Sequence, residues 1–125
     1  MFSAFKNAYY FSKVSLAAID AFGIDLKKFD GIGNIDIIEC CNKARADGKS
    51  VEEGVVLCLA TCSSAIAKDA NFHPEDRPDY FKLGRQAVIV DGWVAQGKVS
   101  PESRDIFIEA VLEAMNAVES AGHDT

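Results

Sequence analysis

The chain has 125 residues, 49% of them hydrophobic and 26% charged, and a net charge of −6 with an isoelectric point near 4.8. That length suits one ordinary domain, and the composition is that of a globular protein able to bury a core without staples. The acidic balance argues against a general binder of nucleic-acid backbone, which needs clustered Lys and Arg, and permits a basic protein partner. The longest apolar region, 14–24, is broken by Asp20 and falls far short of the roughly 20 residues that span a bilayer. Lys13 and Asp20 also interrupt any signal-peptide core. The expected compartment is therefore the cytoplasm, with the four cysteines present as reduced thiols.

The spacing predicts five helices. The first runs from about Ser3 to Phe22 and stops at Gly23, which suits the left-handed position past a helix end. Lys6, Lys13 and Asp20 recur every seven residues, and most of the remaining circumference is apolar, so this helix is either central or covered by a partner. Phe2, Phe5, Tyr9, Tyr10 and Phe11 crowd its first half. Aromatics dominate cores and interfaces alike. Core packing is the simpler account, and self-association through Phe2, Phe5, Tyr9 and Tyr10, giving a homo-oligomer, is its rival. A membrane-surface anchor is poorer, because only Lys6 and Lys13 are basic.

A loop over 23–34 leads to a second helix, Ile35 to Ala46, with Asn34 as its N-cap and Asp47-Gly48 as its stop. Asp30, Asn34 and Asp36 suggest an oxygen-rich calcium loop, but counting from Asp30 puts Ile32, Ile35 and Cys41 at positions that need a ligand, a glycine and a glutamate. Gly31 and Gly33 lack the strand and third glycine of a dinucleotide fingerprint. The third helix opens on Ser50 and Glu53, an S-x-x-E capping box in which each side chain satisfies the other's backbone N–H. Val55 to Ala60 are apolar without a break, which predicts a buried central helix reaching about Ala70.

A polar connection with Pro74 and Pro78 precedes the fourth helix, Asp79 to Gln96, where Gly84, Val88 and Gly92 share a face that would admit another backbone. A β-hairpin over 87–94 turning at Asp91-Gly92 is the alternative, disfavoured because a lone hairpin is marginal. The fifth helix is capped by Ser100, carries Pro101 in its first turn, and is expected to end before Gly122. Phe107, Val111, Ala114, Met115 and Val118 form its core stripe. The sum is an all-α, five-helix bundle-like domain over 1–122 with a short tail at 123–125; the alternative is an α+β domain with a small hairpin.

Two helix starts look alike. Ala46-Asp47-Gly48-Lys49-Ser50 with Glu52-Glu53 opens the third helix, and Ala95-Gln96-Gly97-Lys98 with Ser100 and Glu102 opens the fifth. Capping preferences alone account for both: Gly ends a helix, Ser caps the next, and acid complements the N-terminal dipole. The repeated phrase also resembles the helix-turn-helix segments of tellurite-resistance protein B-like domains. That resemblance implies a small acidic helical domain of stress-response complexes, with metal held by acidic residues, here Asp47, Glu52 and Glu53. In the second copy Gln96 stands where the aspartate would be.

Four further features bear on chemistry. Cys58 and Cys62 share a helix face and Cys40 and Cys41 are neighbours on the preceding helix, but the latter diverge by about 100°, and structural zinc favours Cys-x-x-Cys loops. Buried thiols serving as small apolar residues are the simpler account, with no basic neighbour evident to activate one. His73, Glu75, Asp76 and Arg77 make the densest ionisable loop, suited to a general base or a metal ligand, or to a stiff connector. Glu102, Asp105, Glu109 and Glu113 form an acidic stripe, and the segment 99–125 alone carries −5. Such a stripe is a solvated helix face or a surface for a basic partner, including an inhibitor that mimics nucleic-acid charge. Together these point to a non-catalytic protein–protein interaction domain without a cofactor. The competing classes are a metal-binding stress-response domain and a small hydrolytic enzyme built on the 73–79 loop.

Overall fold

The computed structural model describes residues 2–31, 35–68 and 86–123, with side chains at 4–31, 35–65, 67 and 86–117. Its elements are α1 (Phe2–Phe22), a short 3-10 turn (Leu26–Phe29), α2 (Ile37–Ala46), α3 (Val51–Lys68), α4 (Ala87–Ala95) and α5 (Pro101–His123), with no strand among the described residues. The fold is all-α. None of the described helices is long and apolar enough to cross a membrane.

Local chemistry fixes the boundaries. α1 closes at Gly23, whose φ of 67° is the left-handed conformation expected of it. α2 begins later than the sequence suggests. Asp36, in an extended conformation, is its N-cap and accepts the Glu39 N–H at 2.9 Å, while Asp30 accepts the Ile37 N–H at 2.9 Å. Carboxylates at this position satisfy free N–H groups and face the positive helix end; Asn34 lies outside the described residues. The two aspartates considered for a calcium loop are thus the caps of one helix start.

The 87–94 stretch is helical, and Asp91-Gly92 lies within a helix rather than at a hairpin turn. Its seat is Val90, fully buried, and Trp93, whose ring meets Phe22 edge-on with centroids 5.4 Å apart. Gln86 ties this helix to α1 by donating to the Phe22 carbonyl at 2.8 Å. Among the described residues no backbone approaches Val88, which is exposed, or Gly92, beside which the space is open; Gly84 lies outside the described residues. α5 continues through Gly122 to His123, so that glycine does not mark its end.

α3 is the central helix, packing chiefly on α5 and also on α1 and α2. Its Val55, Val56, Cys58 and Leu59 are buried against Val14, Ala18 and Phe22 of α1, Ile37 and Cys41 of α2, and Phe107 and Val111 of α5 in one continuous core. Tyr10 belongs to this core, not to an outer surface: it is 8% exposed, and its hydroxyl donates to the Ser50 carbonyl at 2.8 Å. Burial raises its pKa, helped by the nearby Cys41, Cys58 and Cys40 thiols and Glu53.

Tyr10 can reach Ser50 because Gly54 has no side chain. A Cβ on Gly54 would land on the Tyr10 hydroxyl and 3.1 Å from Val14 Cγ2. Helix propensity alone predicts that Gly54→Ala stabilises α3 by about 1 kcal/mol. Overpacking is expected to win, with a net loss of about 1–3 kcal/mol in urea denaturation. Adding Tyr10→Phe, which removes the obstructing oxygen, is expected to recover part of that loss.

Candidate functional site

The two similar turns are the same structure. Gly48, at φ 73°, and Gly97, at φ 75°, each follow a helix end. In the first turn Lys49 N–H bonds the Ala44 carbonyl and Gly48 N–H the Arg45 carbonyl; in the second, Lys98 bonds Trp93 and Gly97 bonds Val94. Both are Schellman motifs. Ser50 then accepts the Glu53 N–H at 3.1 Å, and Ser100 accepts the Ser103 N–H at 3.2 Å, so both serines are N-caps.

The second half of the expected capping box is different. Glu53 does not fold back onto Ser50. Its Oε1 accepts from the Ser100 hydroxyl at 2.7 Å, the Ser103 hydroxyl at 2.8 Å and the Ser100 N–H at 3.4 Å. In return the Ser50 hydroxyl donates to the Lys98 carbonyl at 2.5 Å. The start of α3 is therefore bonded to the start of α5 through Glu53 and to the turn before α5 through Ser50. Burial alone would raise the Glu53 carboxyl, but the hydroxyls of Ser100 and Ser103, the Ser100 N–H and nearby Lys49 outweigh it and hold the group below its ordinary value.

The acids singled out by the tellurite-resistance resemblance sit around this junction. Glu53 is committed to the serines; Glu52 lies 4.0 Å from the Lys98 ammonium; Asp47 is exposed at the end of α2, where its N–H bonds the Lys43 carbonyl at 3.0 Å. Among the described residues no group of three or more His, Cys, Asp or Glu is arranged to hold a metal. His73, Glu75, Asp76 and Arg77 lie outside the described residues.

Beside the junction, α2, α3 and α5 enclose an open groove of about 1230 Å³. Its apolar lining includes Leu57, Ala60, Ala65, Ala110 and the exposed Ile106. Its rim holds Asp36, Glu39 and Asp47 on one side and Glu102, Glu109 and Glu113 on the other, with Lys43 and Lys49 as the basic members. Three of the four stripe acids thus face the groove. Asp105 does not line it and instead pairs with Arg104 at 3.1 Å, next to the Arg104–Asp91 contact at 2.7 Å that links α5 to α4.

Cys40 also opens onto this groove, and it is half-buried while Cys41, Cys58 and Cys62 are buried. The divergence of Cys40 and Cys41 does not keep them apart from a common neighbour. Cys58 of α3 lies between them, with its sulfur 3.4 Å from that of Cys40 and 3.7 Å from that of Cys41. Lys43, one turn beyond Cys40, supplies the basic neighbour that the sequence reading did not identify.

The outer face of α1 carries four exposed large apolar side chains, with the exposed Ser12 between them and Lys13 and Asp20 at the edge. Phe5, Tyr9, Leu16 and Ile19 are 75%, 58%, 65% and 48% exposed and fall within about 80° of one another around the helix. Phe5 and Tyr9 were expected at such a surface; Leu16 and Ile19 extend it, a continuation visible in their seven- and ten-residue offsets from Tyr9. The Phe2 side chain lies outside the described residues, and Tyr10 is removed from this surface by its burial.

Loss of the Glu53 charge is a direct probe of the junction. Glu53→Gln is expected to cost about 1.5–3 kcal/mol at neutral pH, the range for hydrogen bonds to charged groups. Because the folded carboxyl lies below its ordinary 4.5, its contribution is complete above that value and is lost as pH falls through the lower folded value. Urea titrations of both proteins should therefore converge in acid. In comparisons with known proteins, no family model, curated protein or solved structure matches the chain.

Proposed function

We propose that this chain is a non-catalytic helical protein–protein interaction domain that pairs with a second copy of itself through the outer face of α1. The reading rests on the four large apolar side chains standing in water there. The four form two pairs on one helix face, Phe5 with Tyr9 and Leu16 with Ile19, on either side of the exposed Ser12, and such clustering marks an association surface better than the same residues scattered singly. Together they run about 21 Å along the axis.

The arrangement suits an antiparallel two-fold pairing. Phe5 and Ile19 lie equally far from Ser12, and Tyr9 and Leu16 nearly so. An isologous interface would set Phe5 against Ile19 of the second copy and Tyr9 against its Leu16. Lys6 would then approach Asp20 of the second copy, while Lys13, beside the two-fold and 4.7 Å from its own Tyr9 ring, would approach its counterpart, so one like-charge contact is set against two complementary ones. Light scattering at micromolar concentrations is expected to give a dimer. Leu16→Glu, at an exposed position, should yield a folded monomer with unchanged helical circular dichroism. A wild-type chain that stays monomeric across that range removes the self-association reading.

The groove favours a second partner class. An apolar lining between two acidic rims fits an amphipathic helix rich in Lys and Arg. A synthetic peptide of that kind is expected to bind in fluorescence anisotropy, more weakly as salt rises. The doubly charge-reversed Glu109→Lys, Glu113→Lys protein should lose most of that affinity; equal binding by both proteins would set the groove aside.

A further inference from the structure

We propose that Cys40 and Cys58 are a peroxide-sensing thiol pair that closes to a reversible disulfide between α2 and α3. The sulfurs are already in contact at 3.4 Å, and they come from different helices. Their accessibility differs in the way such a pair requires. Cys40 lines the groove and is half-buried, whereas Cys58 is buried, so a small oxidant meets Cys40 and the second sulfur waits beneath it. Access together with thiolate character selects redox-active cysteines over inert buried ones.

The surroundings divide the roles. The Cys58 thiol donates to Cys40; this bond and Lys43 lower the Cys40 thiol against the opposing effects of burial and Asp36. Cys58 is driven the other way by its bonds to Cys40 and Cys41 and by burial. Cys40, open to the groove, is the sulfur placed to meet an oxidant, and Cys58, buried and in contact with it, is the one placed to resolve it. Cys62 is pushed up to about 12 by burial and takes no part.

The chemistry balances with hydrogen peroxide as oxidant. The Cys40 thiolate attacks one peroxide oxygen; an S–O bond forms, the O–O bond breaks, and the departing hydroxide takes up a proton to become water. Cys40 is now a sulfenic acid. The Cys58 sulfur attacks the Cys40 sulfur, the S–S bond forms, and the S–O bond breaks, releasing a second hydroxide that leaves as water with the Cys58 proton. Two thiols have lost two electrons and one peroxide has gained them. An added dithiol reverses the bridge by exchange.

The test uses the full chain, reduced and then exposed to hydrogen peroxide, with thiol counting and mass spectrometry of non-reduced peptides. The free-thiol count should fall from four to two, with one Cys40–Cys58 crosslink that dithiothreitol removes. Cys40→Ser should abolish the bridge. Cys58→Ser should instead leave a sulfenic acid on Cys40 that reacts with dimedone, a readout that does not depend on the disulfide forming. Circular dichroism of each variant confirms that it is folded. Four persistent thiols, a bridge that omits Cys40, a bridge between two copies, or purified protein carrying stoichiometric zinc or copper(I) on these sulfurs would each overturn the proposal.

Discussion

The Glu53 carboxylate holds the starts of α3 and α5 in one hydrogen-bonded unit, and the pairing it fixes is the most extensive helix contact among the described residues. An ionised carboxylate removed from water is costly unless its oxygens are satisfied. Here one oxygen accepts from two serine hydroxyls and a backbone N–H, and those donors are themselves the capping apparatus of α5. The pairing is therefore satisfied in one arrangement of the two helices. Sliding α5 along α3 by a turn would strand the charge, while Phe107 and Val111 would leave their places in the core.

That constraint propagates to both candidate surfaces. Ser50 caps α3 with its hydroxyl, and its carbonyl receives Tyr10 from α1. The α1 helix is thus fixed at its inner face by the same residue that begins the junction, and Gly54 one turn on makes room for it. With Tyr10, Val14, Ala18 and Phe22 turned inward, Phe5, Tyr9, Leu16 and Ile19 have to face outward. The same α3–α5 pairing builds the groove, which Glu109 and Glu113 of α5 line together with residues of α2 and α3.

Much of the architecture is readable from local signals, because helix ends are decided locally. Gly23, Gly48 and Gly97 stop helices where a left-handed residue is needed, and Ser50 and Ser100 start them. The central position of α3 follows from its unbroken apolar run. The features that escape are those set by contacts distant in sequence. A capping-box rule sends Glu53 to Ser50, three residues away; its partners are Ser100 and Ser103, reachable only once α5 lies alongside. Tyr10 looks like its neighbour Tyr9 until a second helix buries one and leaves the other in water. A helical wheel separates Cys40 from Cys41, yet a third sulfur on α3 touches both. The start of α2 at Asp36 also escapes a local reading, because Asp30, reaching forward from the preceding turn, supplies the second acceptor that fixes where the helix begins.

The two surfaces differ in chemistry and share no residue, which bears on how they would be used. The groove is lined by α2, α3, α5 and the start of the latter, with nothing from α1, whereas the apolar stripe belongs wholly to α1. Occupying one leaves the other open. A strongly acidic groove attracts its partner at long range and loosely at high salt; an apolar stripe acts only on contact and is largely indifferent to salt. A chain that pairs through α1 would present two acidic grooves from one assembly, and a basic partner with two matching segments would bind it far more tightly than either groove alone. Cys40, at the groove and in contact with the core sulfur of Cys58, stands where oxidation of the interior and occupancy of that surface meet.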